Sequence, residues 1–273
     1  MNYNEGIIFV LLRTKLINLM CDSSTRCPRC LSTNISKNGF TSYLKPSNKC
    51  KDCNHKFVDK GVNWFISDEQ KVYIKRMLLE RISLRGICRV MHISLTWLLE
   101  FIKEIYSELP DDLNCKVTLP KIKHNDRYYI KLVQNEADEL WSWVGYRKNV
   151  YYVWLVMHRD SRQIIAFHVG DRSAESAKAL WDKIPPQIKE FGLFHTDDWD
   201  SYKTIIPSDK HLFSKQKKNT NHIERFNNTL RQRVARLVRE TLSFSKKLEN
   251  HIGAIKYYLC HHNLTILDNM ISP

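Results

Sequence analysis

Residues 139–169 read ELWSWVGYRKNVYYVWLVMHRDSRQIIAFHV, and this stretch decides the fold. It contains three runs rich in Val, Ile, Tyr and Trp, which are separated by turn-like residues at 147–149 and 159–162. β-Branched and aromatic runs at such short spacing predict neighbouring antiparallel strands. We therefore expect a three-strand meander, with its strands at residues 139–146, 150–158 and 163–169.

Further elements are predicted downstream of this meander. Ser173 is placed to cap a helix that runs to about residue 183 and is stopped by Pro185 and Pro186. The sequence thus indicates a mixed-sheet domain of the α+β or α/β class at residues 127–273. Its element order is that of the ribonuclease-H-like fold, an analogy that rests on order alone. Short strands are expected at 191–196 and 211–214, and long helices at 220–238 and 245–263.

A helical segment is predicted at residues 63–108, upstream of the sheet. Ser67 and Gln70 form a capping-box pattern, and Ser94 is placed to cap a later helix after a turn at His92. This arrangement is typical of a helix-turn-helix unit, whose last helix enters the major groove of DNA. The alternative is a three-helix bundle used for packing or dimerisation. On the first interpretation, the residues nearest DNA are Thr96, Trp97 and Lys103.

Four of the eight cysteines form two C-x-x-C pairs within residues 25–62. Two residues between cysteines let both thiolates reach one ion, and four thiolates close the tetrahedral shell of a structural Zn²⁺. Asn38 and Gly39, between the pairs, predict a hairpin turn that fits a zinc ribbon. The alternatives are four free thiols or a redox pair. The predicted ligands of one zinc ion are Cys27, Cys30, Cys50 and Cys53.

Composition restricts the class of partner. The chain carries 43 Lys and Arg against 29 Asp and Glu, a net charge of +14 at pH 7. This excess favours a densely anionic partner, nucleic acid before an anionic membrane. The apolar stretch at residues 7–12 is far shorter than the ~18 residues that a membrane span needs. We interpret residues 1–24 as a peripheral extension with no export signal, which predicts reduced cysteines, and residues 109–126 as a linker.

Three carboxylates stand in separate contexts. Asp138 lies at the predicted start of the first strand, Asp197 follows the strand at 191–196, and Glu224 lies on a strongly basic helix. Carboxylates beside apolar strands are costly unless a cation holds them together, and a divalent metal is the usual solution. Neighbouring strands would bring the two aspartates together, with the helix packed beside them. Two Mg²⁺ or Mn²⁺ ions held there would serve an in-line phosphoryl displacement.

Alternatives to this triad remain in the sequence. Strand alternation puts Asp138 and Glu139 on opposite faces of the sheet, so that only one of them can serve. Glu224 can instead be a surface acid that pairs with an arginine, and Asp197 a turn residue. The residues that compete with Asp197 are Asp198 and Asp200.

The helix that bears Glu224 is basic over much of its surface. Asn228 lies four residues after Glu224 and Arg231 seven residues after it, so both share the face of Glu224. One acid on a basic helix can bind metal while its neighbours hold phosphates. The cations that line the rest of the helix are Arg225, Arg233, Arg236 and Arg239.

Three motifs resemble a known family: DELW at 138–141, HTDDW at 195–199 and IERFNNTLRQRVARLVRETLSFSK at 223–246. They resemble the transposases of the bacterial insertion sequence one family, and the cysteine pairs and helical segment resemble that family's N-terminal DNA-binding region. The resemblance implies that Asp138, Asp197 and Glu224 are the acidic triad. It further implies that Arg231 is the basic residue that follows the glutamate, and that His222 and Arg225 lie near the substrate.

The sequence therefore predicts a DNA transposase of an insertion sequence. We expect it to bind the terminal inverted repeats of double-stranded DNA and to catalyse metal-dependent strand cleavage and strand transfer. A homodimer or larger assembly is expected in the DNA complex, because two ends must be paired, and no membrane partner is expected. The expected location is the bacterial cytoplasm, in association with the nucleoid. The rivals are a ribonuclease-H-like nuclease without strand transfer and a catalytically inactive, zinc-containing DNA-binding regulator.

Overall fold

The structure is a computed structural model that describes residues 25–41, 46–58, 66–124, 126–197, 199–213, 220–237 and 245–271. The chain divides into two compact units, residues 1–65 and 66–273. Several sequence expectations lie outside the described residues. These are the extension at 1–24, the candidate Asp198 and the cation Arg239.

The first unit contains a three-stranded antiparallel sheet of β1 (Ile35–Phe40), β2 (Pro46–Cys50) and β3 (Lys56–Val58). The prediction of a hairpin turn at Asn38 and Gly39 was wrong, because both residues lie inside β1. Gly39 has a φ of +72°, and the register of β1 on β2 shifts between Lys37 and Phe40. The turn signal therefore marks a strand irregularity, for which glycine supplies the left-handed backbone.

The second unit is built on a five-stranded mixed sheet with the order β10-β9-β6-β7-β8. Strands β6, β7 and β8 form the antiparallel meander, and β9 and β10 run parallel to β6 on its other side. The predicted mixed α/β sheet and the order of its strands are confirmed. The strands are β6 (Val133–Trp143), β7 (Val150–His158), β8 (Ile164–Gly170), β9 (Gly192–Thr196) and β10 (His211–Phe213).

The first strand of the meander begins earlier than its apolar residues indicate. Strand β6 starts at Val133, so Asp138 lies in its middle and pairs with Leu155, whereas the sequence placed Asp138 at a strand start. The first half of β6 includes Asn135 and Glu136, which are fully buried. Buried polar residues break the apolar pattern of a strand, but they are tolerated when other groups satisfy them.

Helices cover both faces of the sheet. Helices α4 (Ala174–Asp182), α5 (Pro186–Phe191) and α6 (Asp200–Lys203) follow β8 and β9, and an apolar core with Trp154 and Phe194 at its centre forms on their side. The other face carries α7 (Asn221–Arg233), a 3₁₀ turn (Ala235–Leu237) and α8 (Leu248–Ile271).

The helix ends differ from the predicted ones in three places. Pro185 and Pro186 end α4, but Pro186 also begins the short helix α5, since proline is favoured at the first helical position. Helix α7 ends at Arg233, five residues before the predicted end at Val238. Helix α8 continues beyond Asn263 to Ile271. None of the helices in the described ranges is long and apolar enough to cross a membrane.

Buried polar contacts tie α8 to the sheet. The Oγ of Ser142 on β6 lies 2.7 Å from Nε2 of His251, and burial lowers the pKa of His251 to about 4. The side chain of Asn263 accepts a hydrogen bond from the backbone N–H of Ile164 and donates to the carbonyls of Ile164 and Leu113. Removing either partner would leave a buried polar group unsatisfied.

Three helices, α1 (Asp68–Met77), α2 (Leu84–Met91) and α3 (Leu95–Ser107), form the segment before the sheet. The capping box of Ser67 and Gln70 is present, Ser94 caps α3, and His92 makes the turn between α2 and α3 with a φ of 54°. The helices share one apolar core with Ile74, Ile87, Leu98 and Ile102.

The segment predicted as a linker, residues 109–126, is mostly exposed but is anchored to the second unit at a few apolar positions. Leu113 is 1% exposed in the core beneath α8, and Val117 and Leu119 pack against the core on the other side of the sheet. The end of the segment forms strand β4 (Lys121–His124), which pairs with β5 (Arg127–Ile130) as a separate two-stranded ribbon.

We predict that Gly253→Ala destabilises the second unit. A Cβ atom at Gly253 of α8 would lie 2.2 Å from Cδ2 of Tyr106 on α3, so the ring or the helix must move. Overpacking costs about 1–3 kcal/mol, which outweighs the gain of about 1 kcal/mol that alanine brings to a helix interior. Urea unfolding measures the difference. Asn269→Ala, at an exposed position of the same helix, should leave stability unchanged or raise it, and a stabilised Gly253→Ala would refute the close approach.

Candidate active site and cysteine cluster

The four predicted zinc ligands meet in the first unit. Sγ of Cys27 lies 3.6 Å from Sγ of Cys53, and Sγ of Cys30 lies 3.5 Å from Sγ of Cys50. All four sulfur atoms lie within 4.8 Å of one another. Tetrahedral Zn–S bonds of about 2.3 Å place sulfur atoms about 3.8 Å apart. The cluster therefore has the donor set and the dimensions of a closed zinc site.

The backbone around each cysteine pair favours thiolates. Leu31 and Asn54, which directly follow the second cysteine of each pair, have positive φ angles of 59° and 58° and turn the chain. Burial raises the pKa of Cys27, but the backbone N–H groups of Cys30 and Arg29 outweigh it and bring the pKa to about 7. Donors that stabilise a thiolate also prepare it to bind a metal.

In the second unit, a buried carboxylate on β6 holds the start of α7. Oε2 of Glu136 accepts hydrogen bonds from the backbone N–H groups of His222 at 3.0 Å and Ile223 at 2.9 Å. Thr220 precedes the helix and makes no side-chain capping bond, so Glu136 caps the helix from the sheet. Arg159 balances this charge, with Nε 3.3 Å from Oε1 of Glu136. A carboxylate at a helix N-terminus also interacts favourably with the helix dipole.

This contact places the predicted catalytic residues near one another. Two residues beyond Glu136, Asp138 accepts a hydrogen bond of 2.8 Å from Nδ2 of Asn227 on α7. The parallel pairing of β6 and β9 matches Glu136 with His195, so a continuation by two residues brings Asp197 level with Asp138. Glu224 lies one turn before Asn227 and Asn228 on α7.

An open cleft of about 650 Å³ lies between β6 and α7. Its walls include Asp138 and Glu224, and Arg231 contributes a cation from the same helix face. Arg81, from the turn between α1 and α2, lines the same cleft. Asp197 is half-buried just beyond β9, where Oδ1 accepts the backbone N–H of Trp199 at 3.1 Å.

The electrostatics of the cleft are dominated by Asp138. Burial and the negative charge of Glu139 raise the pKa of Asp138 to about 7, and the charges of Asp197 and Glu224 add to the increase. The carboxylates are thus close enough to repel one another, and a divalent cation between them would relieve that repulsion. The donor set, two aspartates and a glutamate, is one that Mg²⁺ accepts.

The carboxylate oxygens of Asp138, Asp197 and Glu224 do not all lie within 4.8 Å of one another. Among the residues that the structure describes, the cysteine cluster is the one group of three or more ligand side chains whose atoms all lie within 4.8 Å of one another. Three carboxylates that share two ions about 4 Å apart do not need to meet at one point.

The competitor Glu139 also lines the cleft, but its carboxylate is held by Arg172 and Tyr202. Nε of Arg172 donates to Oε1 of Glu139 at 2.7 Å, and the Tyr202 hydroxyl donates to Oε2 at 3.1 Å. The Arg172 guanidinium also lies 3.7 Å from the ring centroid of Trp199. Burial raises the pKa of Glu139, and its side chain is only 3% exposed. These contacts agree with the alternation that separates Glu139 from Asp138.

The remaining competitor and the basic candidates of α7 are distributed over several surroundings. Asp200 is exposed and pairs with Lys203 at 3.1 Å. Arg225 is exposed on α7, and His222 lies 4.0 Å from Glu136. Arg233 pairs with Glu80 at 3.0 Å, which links α7 to the helical segment. Arg236 lies on the 3₁₀ turn, and its guanidinium is 3.4 Å from Oγ of Ser245.

The candidates on α3 are only partly presented to solvent. Thr96 is exposed, but Trp97 is half-buried and stacks on Phe101 at a ring-centroid distance of 5.0 Å. Lys103 is exposed and pairs with Glu100 at 2.9 Å. The face therefore offers one hydroxyl, part of an indole and a cation whose charge Glu100 already offsets.

Sequence reasoning missed four residues of this region: Glu136, Asn227, Arg172 and Arg81. Glu136 is two residues from Asp138, so both side chains lie on the same face of the strand, and Asn227 lies one helical turn from Glu224. The spacing of residues along the strand and the helix would therefore have identified both. Arg172 and Arg81 reach the region from a loop and a turn, and no spacing in the sequence marks them.

Comparison with a solved structure gives a weak likeness. A chain of the cryo-EM structure of the simian T-cell lymphotropic virus intasome in complex with PP2A regulatory subunit B56 gamma aligns with a TM-score of 0.33 and 11% identity. The alignment covers 61% of this chain and 61% of that chain. At this TM-score the likeness carries no structural argument.

Comparison with known sequences is more specific. Residues 131–265 match the family model described as IS1 transposase. The protein InsB of insertion element iso-IS1n from Shigella dysenteriae is 35% identical over 46% of this chain and 94% of its own length. InsB of the IS1 element of Shigella flexneri is 34% identical over 47% of this chain and 95% of its own length. This chain therefore belongs to the IS1 transposase family.

Proposed function

We propose that this chain cleaves DNA at the ends of an insertion sequence and joins those ends to a target. The observation that carries the proposal is the cleft between β6 and α7, where Asp138, Glu224 and Arg231 face one space and Asp197 acts electrostatically on Asp138. A cluster of repelling carboxylates in a chain of net charge +14 suits a cation-dependent reaction on a polyanion.

The sheet supports a ribonuclease-H-like fold for this domain. Strand β6 pairs antiparallel with β7 of the meander and parallel with β9, and β10 extends the sheet beyond β9, in the order β10-β9-β6-β7-β8. The topology of the sheet supports the fold alone, and the cleft supports the reaction, because one fold hosts many functions.

Asp138, Asp197 and Glu224 are the residues that would hold two Mg²⁺ or Mn²⁺ ions. When bound, such ions activate the attacking oxygen and stabilise the leaving oxygen of an in-line phosphoryl transfer. The chain's own residues orient this site. Asn227 fixes one oxygen of Asp138, and Glu136 fixes the start of the helix that carries Glu224.

Cations around the cleft are proposed to bind the DNA strand. Arg231 and Arg81 line the cleft, where a guanidinium can contact two phosphate oxygens at once. His222 and Arg225, at the first turns of α7, lie next to Glu224 and would position the flanking phosphates. Neither the cleavage of DNA nor the joining of its ends requires a covalent bond between protein and DNA.

The N-terminal parts are proposed to bind the terminal repeats of double-stranded DNA. The cysteine cluster would hold one structural Zn²⁺, and α2 and α3 would act as a helix-turn-helix with Thr96, Trp97 and Lys103 nearest the DNA. Because Trp97 is half-buried and Lys103 is paired, Thr96 and the start of α3 carry most of this contact. A dimer or larger assembly would pair two DNA ends in the bacterial cytoplasm.

We expect Asp138→Asn, Asp197→Asn and Glu224→Gln each to abolish both nicking and joining in Mg²⁺, by at least about a thousandfold. The three residues act through the same ions, so double substitutions should be little worse than single ones. Duplex binding should persist, because each change removes a negative charge. Assays on a labelled element end, with and without a second duplex, measure the two steps separately.

The matched control is Asp200→Asn, which removes an exposed carboxylate three residues from Asp197. It should retain wild-type cleavage. Glu139→Gln should reduce activity less than the triad changes, since it disturbs the contact with Arg172 without removing a metal ligand. Wild-type cleavage by all three triad variants would favour the inactive regulator, and cleavage without joining would favour the nuclease.

Purified protein should carry about one zinc ion per chain. Cys50→Ser should lose this zinc and unfold residues 25–58 while the second unit stays folded, because a small unit depends on its metal for folding free energy. Metal analysis and hydrogen exchange test both effects. Cys88→Ala removes a thiol outside the cluster and should keep the zinc. Absence of zinc from wild-type protein prepared without chelator would contradict the site.

The raised pKa of Asp138 predicts a pH-dependent stability. Its pKa is about 7 in the folded chain, against an ordinary value of 3.8, so the folded chain holds this proton more tightly. The resulting stability is complete below about pH 4 and is lost as the pH rises through about 7. Between about pH 5 and 8, metal-free wild type should lose on the order of 2 kcal/mol more than Asp138→Asn.

Added Mg²⁺ should counteract this loss, because the ion and the proton compete for the same carboxylates. The stabilisation by Mg²⁺ should therefore grow with pH in wild type and be absent from Asp138→Asn. Urea unfolding with and without Mg²⁺ measures it. A Mg²⁺ effect that is equal in both proteins would remove Asp138 from the metal site.

A further inference from the structure

The ribbon of β4 and β5 stands apart from the packed layers of the second unit. All eight residues of its two strands are exposed to solvent, and the ribbon pairs only within itself in the described part of the chain. Two-stranded ribbons of this kind are marginally stable alone in water. A ribbon with both faces exposed to solvent therefore offers a surface to which a partner can bind.

The ribbon exposes large apolar side chains on both faces. Ile122 pairs with Tyr129 on one face, and Lys123 pairs with Tyr128 on the other. Tyr128 is 72% exposed and Tyr129 is 50% exposed. Tyrosines that are neither packed nor buried supply flat apolar surface with a hydroxyl at its end, a combination that suits contact with bases and sugars.

The charge of the ribbon identifies its partner. Residues 121–131 carry four cationic side chains against the single carboxylate of Asp126, which pairs with Lys123. By the strand pairing, Lys121 and Lys123 share one face of the ribbon with Tyr128, and Arg127 shares the other face with Tyr129. This excess of positive charge excludes a cationic partner. It also disfavours a second copy of the same ribbon as the partner, because like charges would come together. The cationic residues are Lys121, Lys123, Arg127 and Lys131.

We propose that the β4–β5 ribbon binds duplex DNA, with its strands in a groove and its cations on the flanking phosphates. The major groove of B-DNA admits a two-stranded ribbon, and the cations and the tyrosine on each face provide contacts to the backbone and to the base edges. The proposal rests on the proposed function in requiring a DNA substrate, and it adds a contact surface outside the cleft and the N-terminal parts.

The position of the ribbon supports this assignment. The N–H of Lys131 donates to the carbonyl of Pro120 at 2.9 Å and closes the base of the ribbon directly before β6. Asp138 lies five residues after the start of β6 at Val133, a path of about 17 Å. That distance is about five base pairs of duplex, so one DNA molecule can occupy the cleft and reach the ribbon.

Two pairs of matched variants of the full chain test the proposal. The ribbon variants are Lys121→Ala with Arg127→Ala, and Tyr128→Ala alone. The controls are Lys148→Ala with Arg147→Ala, and Tyr146→Ala, which remove the same residue types from the exposed β6–β7 turn at the other end of β6; Tyr146 is 77% exposed. Binding to a fluorescent duplex is titrated over a range of salt concentrations, and thermal unfolding is recorded for each variant.

We expect the double ribbon variant to lower the magnitude of the log–log salt slope by about 2 and to weaken binding more than tenfold at about 100 mM salt. Tyr128→Ala should weaken binding at least about threefold with an unchanged slope. The controls should bind as wild type does, and all variants should unfold as wild type does, because the substituted residues are exposed.

Three outcomes overturn the proposal, and they differ from one another. If ribbon and control variants bind DNA equally well, the ribbon is not a DNA contact, although the proposed function stands. If wild type fails to bind duplex DNA at any salt concentration, the proposed function fails as well. If sedimentation shows that the ribbon variants alone lose an oligomeric state while each oligomer binds DNA normally, the ribbon joins copies of this chain instead.

Discussion

The geometry of the cleft depends on one buried carboxylate. Glu136 is excluded from water on β6, and its burial is tolerated because it accepts two backbone N–H groups at the start of α7 and faces Arg159. The relation of α7 to Asp138 depends on this contact. It sets the distance of α7 from the sheet and the rotation of the helix, and so brings Asn227 to Asp138 and turns Glu224 and Arg231 toward the same space.

Much of this arrangement could be predicted from the sequence, because it depends on the periodic pattern of residues along strands and helices. The meander, the caps at Ser67 and Ser94 and the order of the strands follow from local patterns that tertiary packing reinforces. The sequence also separates Asp138 from Glu139 by strand parity, and the contacts of Glu139 with Arg172 and Tyr202 agree with that separation. The cysteine pairs are equally local, since a C-x-x-C turn brings its two sulfur atoms together by itself.

The parts that could not be predicted depend on contacts between distant segments. Strand β6 begins at Val133, where it pairs with β9, and includes the buried Glu136, whose partners on α7 and at Arg159 are distant in the sequence. The segment at 109–126 resembles a linker in composition, but Leu113 is buried by α8, about 150 positions later in the chain. The role of Arg81 at the cleft likewise appears only when the helical segment packs against the second half of the chain.

The concentration of negative charge around Asp138 has a consequence for the order in which ligands arrive. On the proposed function, the carboxylates of an empty cleft would repel a phosphodiester and bound divalent cations would attract it, so the affinities for metal and for DNA would be coupled. Thermodynamic reciprocity requires that DNA raise the affinity for metal by the same factor as metal raises the affinity for DNA. A chain without bound DNA would then bind its metal weakly, and catalysis would be possible only where a DNA strand is already bound.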